Sequence, residues 1–105
     1  MCGIVAIYNK EIKLDKDMRS KSLSMSKKVR HRGPDWSGIY TSDNAILAHE
    51  RLSIVDVKSG KQPILSNNEE IILAVNGEIY NHKLIRSDKK FEYKYKTESD
   101  CEVII

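Results

Sequence analysis

The pattern of apolar and polar positions predicts a mixture of strands and helices. The run from Gly3 to Tyr8 is apolar and rich in β-branched residues, which predicts a strand that starts almost at the N-terminus and is buried on both faces. Between Asp15 and Val29, Met18, Met25 and Val29 recur at helical spacing among lysines and serines. This spacing predicts an amphipathic helix with its methionines in the core.

The rest of the chain predicts more strands than helices. The segment from Arg30 to Gly38 contains two glycines, a proline and the only tryptophan, so we expect a shaped loop. Strands are predicted at 39–41, 45–48, 52–55, 71–75 and around Phe91, Tyr93 and Tyr95, and a short helix at 81–86. Because helices and strands do not alternate regularly, the predicted fold class is α+β, in one domain spanning residues 1–105.

The last residues indicate a helix that has only begun. Ser99 and Glu102 have the spacing of a capping box, and the apolar residues 103–105 follow directly. One turn is too short for a stable helix. We therefore expect the natural sequence to continue beyond Ile105.

Composition and charge narrow the class of protein. The 105 residues carry a net charge of +3 and have a mean hydropathy of −0.49, values typical of one small globular domain. No apolar run approaches the ~20 residues of a membrane span, and no secretory signal is present, so we expect a cytoplasmic protein that does not bind membranes. Residues 10–32 hold nine basic and three acidic side chains, but they lack the aromatic residues of a nucleic-acid site, which favours a solvated helix face.

The two cysteines, Cys2 and Cys101, lie at opposite ends of the chain. They could form a disulfide, but nothing in the sequence indicates a secreted protein. Neither belongs to a CxxC pair, and the three histidines do not have the spacing of a metal site. We therefore predict no metal site, and the role of Cys101 stays open.

Cys2 is a candidate nucleophile because only the initiator methionine precedes it. If Met1 is removed, the terminal residue carries a thiol nucleophile and an α-amine that titrates near ~7.7 to 8.0, which can serve as its base. The alternative is a small apolar residue at the start of a strand. Its position alone does not decide between the two.

Asn76 and Gly77 follow an apolar run, and two interpretations apply to them. Asn-Gly between two strand-like segments is a strong signal for a hairpin turn. An Asn amide beside a Gly N–H is also a pair of donors that can stabilise an oxyanion. The local sequence favours the plain turn.

Three charged residues are candidates for binding rather than catalysis. Arg51 precedes an apolar run, where its guanidinium could grip a carboxylate with two hydrogen bonds or simply face solvent. Glu78 and Asp100 are by default a solvated charge and part of a helix cap. None of the three indicates a function alone.

Taken together, these segments resemble the class II glutamine amidotransferases, whose catalytic domain is an N-terminal-nucleophile hydrolase. Within that family they are most similar to the glutamine-hydrolysing asparagine synthetases. The motifs that carry the resemblance are Cys2-Gly3-Ile4-Val5, Arg30-His31-Arg32-Gly33-Pro34-Asp35, residues 47–56, Gln62-Pro63, residues 76–82 and Ser99-Asp100-Cys101-Glu102-Val103-Ile104.

The resemblance implies a role for each candidate residue. Cys2 is the expected nucleophile toward the side-chain amide of glutamine, and Asn76 and Gly77 are the expected oxyanion hole. Arg51 is expected to bind the α-carboxylate of glutamine. Glu78 and Asp100 are expected to bind its α-ammonium group. The loop from Arg30 to Gly38 is expected to shape or cover the pocket.

The resemblance also implies a four-layer αββα sandwich of antiparallel sheets, which is incomplete in this chain. The glutaminase reaction needs no cofactor, whereas ATP, magnesium and aspartate belong to a synthetase domain that these residues do not contain. Glutamine and that synthetase domain are the expected partners, and homodimer formation stays open. Two alternatives remain: a non-catalytic module that binds glutamine, and the amidotransferase domain of another aminating enzyme.

Overall fold

Two antiparallel sheets and two α-helices form the part of the chain that the computed structural model describes, namely residues 1–53, 58 and 60–105. The first sheet has the order β1-β3-β2, and the second consists of β4 and β5. The α+β class predicted from the sequence is therefore confirmed. The elements are β1 (Gly3–Tyr8), α1 (Lys16–Val29), β2 (Trp36–Thr41), β3 (Ala45–Arg51), β4 (Ile64–Leu65), β5 (Ile72–Leu73) and α2 (His82–Ser87), with 3₁₀ helices at Arg30–Arg32 and Asp100–Ile104.

Strand β3 is the centre of the first sheet and carries its most buried residues. Its partners are β1, with Gly3 opposite Glu50, and β2, with Trp36 opposite Arg51. Ile46 and Ala48 are each 1% exposed. Since side chains alternate along a strand, these two residues share a face with Glu50, and α1 covers that face.

Helix α1 begins where the sequence predicts, because Oδ1 of Asp15 accepts a hydrogen bond from the Met18 N–H at 2.9 Å. Its buried residues are Ser22 and Ser26, whereas Met25 is 48% exposed. The prediction of a methionine face was therefore wrong for Met25. Small serines let the helix lie close to the sheet, where Ser26 donates a hydrogen bond to the buried Glu50 carboxylate.

The predicted strand at residues 3–8 is confirmed, but only one of its faces is covered. Ile4, Ala6 and Tyr8 are exposed on the face away from α1, while Gly3 is buried. A Cβ at Gly3 would lie 2.7 Å from Cγ2 of Val29 in α1. The close contact with the helix therefore excludes a side chain at this position.

Several other sequence predictions were wrong in detail. Trp36 to Gly38 belongs to β2 rather than to a loop, residues 91–95 form no strand, and of residues 71–75 only Ile72 and Leu73 are in one. Of the strand predicted at 52–55, residues 52 and 53 lie outside any strand, and residues 54 and 55 lie outside the described residues. The short helix predicted at 81–86 is confirmed as α2.

The predicted capping box at Ser99 and Glu102 is absent, because Ser99 makes no side-chain cap and the segment is a 3₁₀ helix. The Glu102 carboxylate instead accepts hydrogen bonds from the N–H groups of Lys96 and Thr97, at 2.7 and 2.8 Å. Among the described residues, no helix is long and apolar enough to cross a membrane.

His49 is the most deeply buried ionisable side chain of β3, with no measurable exposure. Neither ring nitrogen has a hydrogen-bond partner among the described residues. Burial, and secondarily the positive charge of Arg51, lower the pKa of His49 from 6.5 to about 4 despite an opposing effect of Glu50. The imidazole is therefore neutral at neutral pH.

We expect His49 to make the fold sensitive to acid. Between about pH 6.5 and pH 4 the unfolded state binds a proton at His49 that the folded state does not, so stability falls as the pH falls through this window and levels off below it. Urea unfolding at pH 7 and pH 4.5 measures how much free energy of unfolding each protein loses on acidification. This loss should be about 2 kcal/mol smaller in His49→Leu than in the unmodified protein. Equal losses in the two proteins would contradict this assignment.

Candidate active site

A pocket of about 290 Å³ opens where β1 begins, β3 ends and the segment 75–80 passes the 3₁₀ helix at Asp100–Ile104. Its volume suits a small molecule rather than a polymer. All six site residues predicted from the sequence line it: Cys2, Arg51, Asn76, Gly77, Glu78 and Asp100. Met1, Leu52, Gln62, Val75, Tyr80, Ser99 and Cys101 complete the lining.

Cys2 lies half-buried at the pocket wall, immediately before β1. The Leu52 N–H donates a hydrogen bond to the Cys2 sulfur at 3.3 Å. The Cys2 N–H donates to Oδ1 of Asn76 at 3.1 Å. A nitrogen that can only donate fixes the amide orientation of Asn76, because the oxygen must face Cys2 and both amide hydrogens are left for other partners.

The segment from Val75 to Ile79 is held by side chains at alternate residues. Oε1 of Gln62 accepts the Val75 N–H at 2.8 Å, and Oδ2 of Asp100 accepts the Ile79 N–H at 2.7 Å. Between them, the Cys101 thiol donates to the Gly77 carbonyl oxygen at 3.3 Å. The backbone around Asn76 and Gly77 is therefore fixed from several directions.

The hairpin turn favoured by the local sequence at Asn76-Gly77 does not form. No glycine of the described residues has a positive φ, which both central residues of a type I′ turn require, and no strand follows Gly77 before α2. A Cβ at Gly77 would meet nothing within 4 Å. Gly77 therefore borders open space in the pocket wall.

Charges of both signs line the pocket. Arg51, at the end of β3, is 4% exposed. Asp100 is 7% exposed, whereas Glu78 is exposed. A small zwitterion finds both of its charges matched on such a wall.

An ion pair between the half-buried Arg86 and the buried Glu102 supports the 3₁₀ helix that carries Asp100. Nη2 of Arg86 lies 3.8 Å from the Glu102 carboxylate, which is wholly buried. Arg86 also donates hydrogen bonds to the carbonyl oxygens of Thr97 and Ser99, at 2.9 and 2.6 Å. These bonds fix the backbone directly before Asp100.

Cys101 differs from Cys2 in its surroundings. Burial, with smaller effects from Asp100, Cys2 and Glu78, raises the pKa of the Cys101 thiol to about 11. It is therefore a neutral thiol at neutral pH, which suits its hydrogen bond to Gly77. Both cysteines are free.

The segment from Arg30 to Gly38 does not line the pocket, contrary to the expectation that it shapes or covers it. Its Asp35 instead contacts the backbone at the end of β3. The Asp35 N–H donates to the Arg51 carbonyl at 3.0 Å, and Oδ2 of Asp35 accepts the Ser53 N–H at 2.8 Å. A Cβ at Gly33 would overlap the Glu50 carbonyl group.

Sequence reasoning missed three contributors to the site: Gln62, Arg86 and the backbone of Leu52. A backbone N–H carries no side-chain signal, and Arg86 stood among many other basic residues. Gln62 belongs to the Gln62-Pro63 motif of the family resemblance, but that motif alone gave it no role in the site. No group of three His, Cys, Asp or Glu side chains in the described part of the chain is arranged to hold a metal ion.

Comparison with known families identifies the class. The family model described as a glutamine amidotransferase domain matches residues 1–105. The chain belongs to this glutamine amidotransferase domain family.

Individual relatives narrow the similarity further. The chain is 56% identical over 106 residues to asparagine synthetase B [glutamine-hydrolyzing] of Escherichia coli, a match that covers 100% of this chain and 19% of the relative. It is 52% identical to the probable asparagine synthetase [glutamine-hydrolyzing] of Dictyostelium discoideum, with the same coverage. It is 47% identical to asparagine synthetase [glutamine-hydrolyzing] 2 of Oryza sativa subsp. japonica, over 99% of this chain and 17% of the relative. The chain thus spans about a fifth of the length of these curated relatives.

Proposed function

We propose that this chain is the glutaminase part of a glutamine-hydrolysing asparagine synthetase, with Cys2 as its nucleophile. One observation carries the proposal: the Cys2 N–H binds Oδ1 of Asn76, so that a thiol and an oriented amide meet in one pocket. The family and the names of the relatives point to the same chemistry. Removal of Met1 turns the same Cys2 nitrogen into an α-amine.

In the first half of the proposed reaction, the Cys2 sulfur attacks the side-chain amide carbon of glutamine and its proton passes to the α-amine. Negative charge develops on the amide oxygen, where the Asn76 amide N–H and the Gly77 N–H stabilise it. One such donor lowers a barrier by ~2.7 to 4 kcal/mol. The α-ammonium group of Cys2 then protonates the leaving nitrogen. The C–N bond breaks, and ammonia and a γ-glutamyl thioester result.

In the second half, the α-amine takes a proton from water, and the resulting hydroxide attacks the thioester carbon. The same two donors stabilise the second oxyanion. The C–S bond breaks, the proton returns to the sulfur, and glutamate leaves. No metal or cofactor takes part in either half.

Selectivity for the free amino acid follows from the charges on the pocket wall. Arg51 binds the α-carboxylate, and Glu78 and Asp100 bind the α-ammonium group. A glutamine inside a peptide has neither charge, so it could make none of these charge-assisted contacts and should bind more weakly.

The larger assembly is also part of the proposal. ATP and Mg²⁺ act in a separate synthetase domain, where the ammonia amidates aspartate in the cytoplasm. We further propose that the catalytic domain is a four-layer αββα sandwich of the N-terminal-nucleophile hydrolase type. The α1 layer on one face of the first sheet, and the exposed Ile4 and Tyr8 on its other face, support this architecture.

Cys2→Ala should abolish glutamate release from glutamine in the full-length protein, by about a thousandfold or more, because no other group replaces the nucleophile. Glutamine binding, measured by calorimetry, should stay within about threefold. Cys101→Ser is the matched control, since it removes the other thiol of the pocket but keeps a hydroxyl donor, and it should retain activity within a few-fold. Unchanged turnover in Cys2→Ala would exclude the proposed mechanism, and a wild-type protein that binds glutamine without turnover would support the non-catalytic module instead.

Arg51→Ala should raise KM for glutamine by about 10- to 100-fold with a smaller change in kcat, because a charge-assisted hydrogen bond to the carboxylate is present before and during reaction. Arg51→Lys keeps the charge but cannot make two parallel hydrogen bonds to the carboxylate. Its KM should therefore lie between the values of the wild type and Arg51→Ala. Steady-state glutamate release measures both constants. A change confined to kcat would contradict the binding role of Arg51.

A further inference from the structure

Gln62 is a buried polar residue that the proposed reaction leaves without a role. The residue is 7% exposed and lies in the pocket wall. Oε1 accepts the Val75 N–H at 2.8 Å across 13 positions of sequence. Burying an amide is costly unless it is hydrogen-bonded, so this contact accounts for the polar group at this position.

The backbone of Gln62 is also fixed, against the first sheet. A Cβ at Gly38 in β2 would overlap the Gln62 carbonyl oxygen. The absence of a side chain at Gly38 therefore lets residue 62 lie directly against the sheet. Gln62 links that sheet to Val75 with a single side chain.

Val75 directly precedes the two oxyanion donors. The segment 74–79, which follows β5, belongs to no strand. Hydrogen bonds to side chains therefore fix it in place of the backbone hydrogen bonds of a sheet. Gln62 is the contact upstream of Asn76, and Asp100 is the contact downstream of Gly77. A shift of ~1 Å in catalytic groups can cost about a hundredfold in rate.

We infer that Gln62 is a positioning residue, whose side-chain carbonyl holds Val75 so that Asn76 and Gly77 point at the developing oxyanion. This inference rests on the glutaminase function proposed above. Because the oxyanion exists only in the transition state and the tetrahedral intermediates, Gln62 affects kcat more than KM.

The test replaces Gln62 by methionine, which keeps the length of the side chain but removes the acceptor. In the full-length protein, kcat for glutamate release should fall by about 10- to 100-fold, with KM for glutamine within about threefold. A glutamine-derived aldehyde, which forms a tetrahedral adduct with a thiol, should bind about 10- to 100-fold more weakly in parallel. Inhibition by glutamate, whose γ-carboxylate forms no tetrahedral adduct with the thiol, should change by less than about threefold.

Two further variants separate positioning from a general loss of structure. Gln62→Glu keeps an acceptor oxygen, so its ratio of aldehyde to glutamate inhibition constants should stay within about threefold of the wild type. Asn68 is a matched control, because its Oδ1 also accepts a backbone N–H, that of Glu70 at 3.3 Å, but on an exposed turn outside the pocket. Asn68→Ala should leave kcat unchanged.

An unchanged kcat and aldehyde affinity in Gln62→Met would overturn the inference, as would a rise in KM and in the glutamate inhibition constant with kcat unchanged. A tenfold change of the inhibition ratio in Gln62→Glu would do the same. If the wild-type protein itself releases no glutamate and does not bind the aldehyde, the proposed function fails, a result distinct from any of these.

Discussion

The hydrogen bond from the Cys2 nitrogen to Oδ1 of Asn76 joins residues 74 positions apart, and the arrangement of the site depends on it. It places Cys2, the residue directly before β1, against the segment that carries Asn76 and Gly77. It also fixes which end of the Asn76 amide faces the thiol. Both partners are themselves held, since β1 is paired along its whole length with β3 and the segment 75–79 is bound by side chains.

The end of β3 concentrates polar groups that a small domain would ordinarily keep in water. His49, Glu50 and Arg51 are all buried. Glu50 is stabilised by hydroxyl donors from Ser26 and Ser37, which explains why a serine rather than a methionine faces the sheet from α1. Burying this polar cluster costs folding free energy. Under the proposed function, it also places the positive charge of Arg51 in the pocket, where it binds the substrate.

Sequence reasoning predicted the elements with a strong local signal and failed where tertiary contacts decide. The apolar run at 3–8 and the helical spacing of apolar residues between Asp15 and Val29 predicted β1 and α1, whereas Met25 was misplaced because the buried Glu50 is paired with hydroxyl groups instead. Asn76 and Gly77 favoured a hairpin locally, but that segment forms no hairpin and is held instead by hydrogen bonds to the side chains of Gln62, Cys101 and Asp100. The set of site residues came from the family resemblance, and the contacts that orient them depend on groups far apart in sequence.

The most direct test of the central claim is to treat the full-length protein with an electrophilic glutamine analogue and to map the adduct by mass spectrometry. We predict loss of Met1 and a single adduct on Cys2 that free glutamine prevents, while Cys101 stays unmodified because the high pKa of its thiol, about 11, keeps it neutral. An adduct on Cys101 instead, or a processed protein that takes no label, would contradict the assignment of Cys2 as the nucleophile of this pocket.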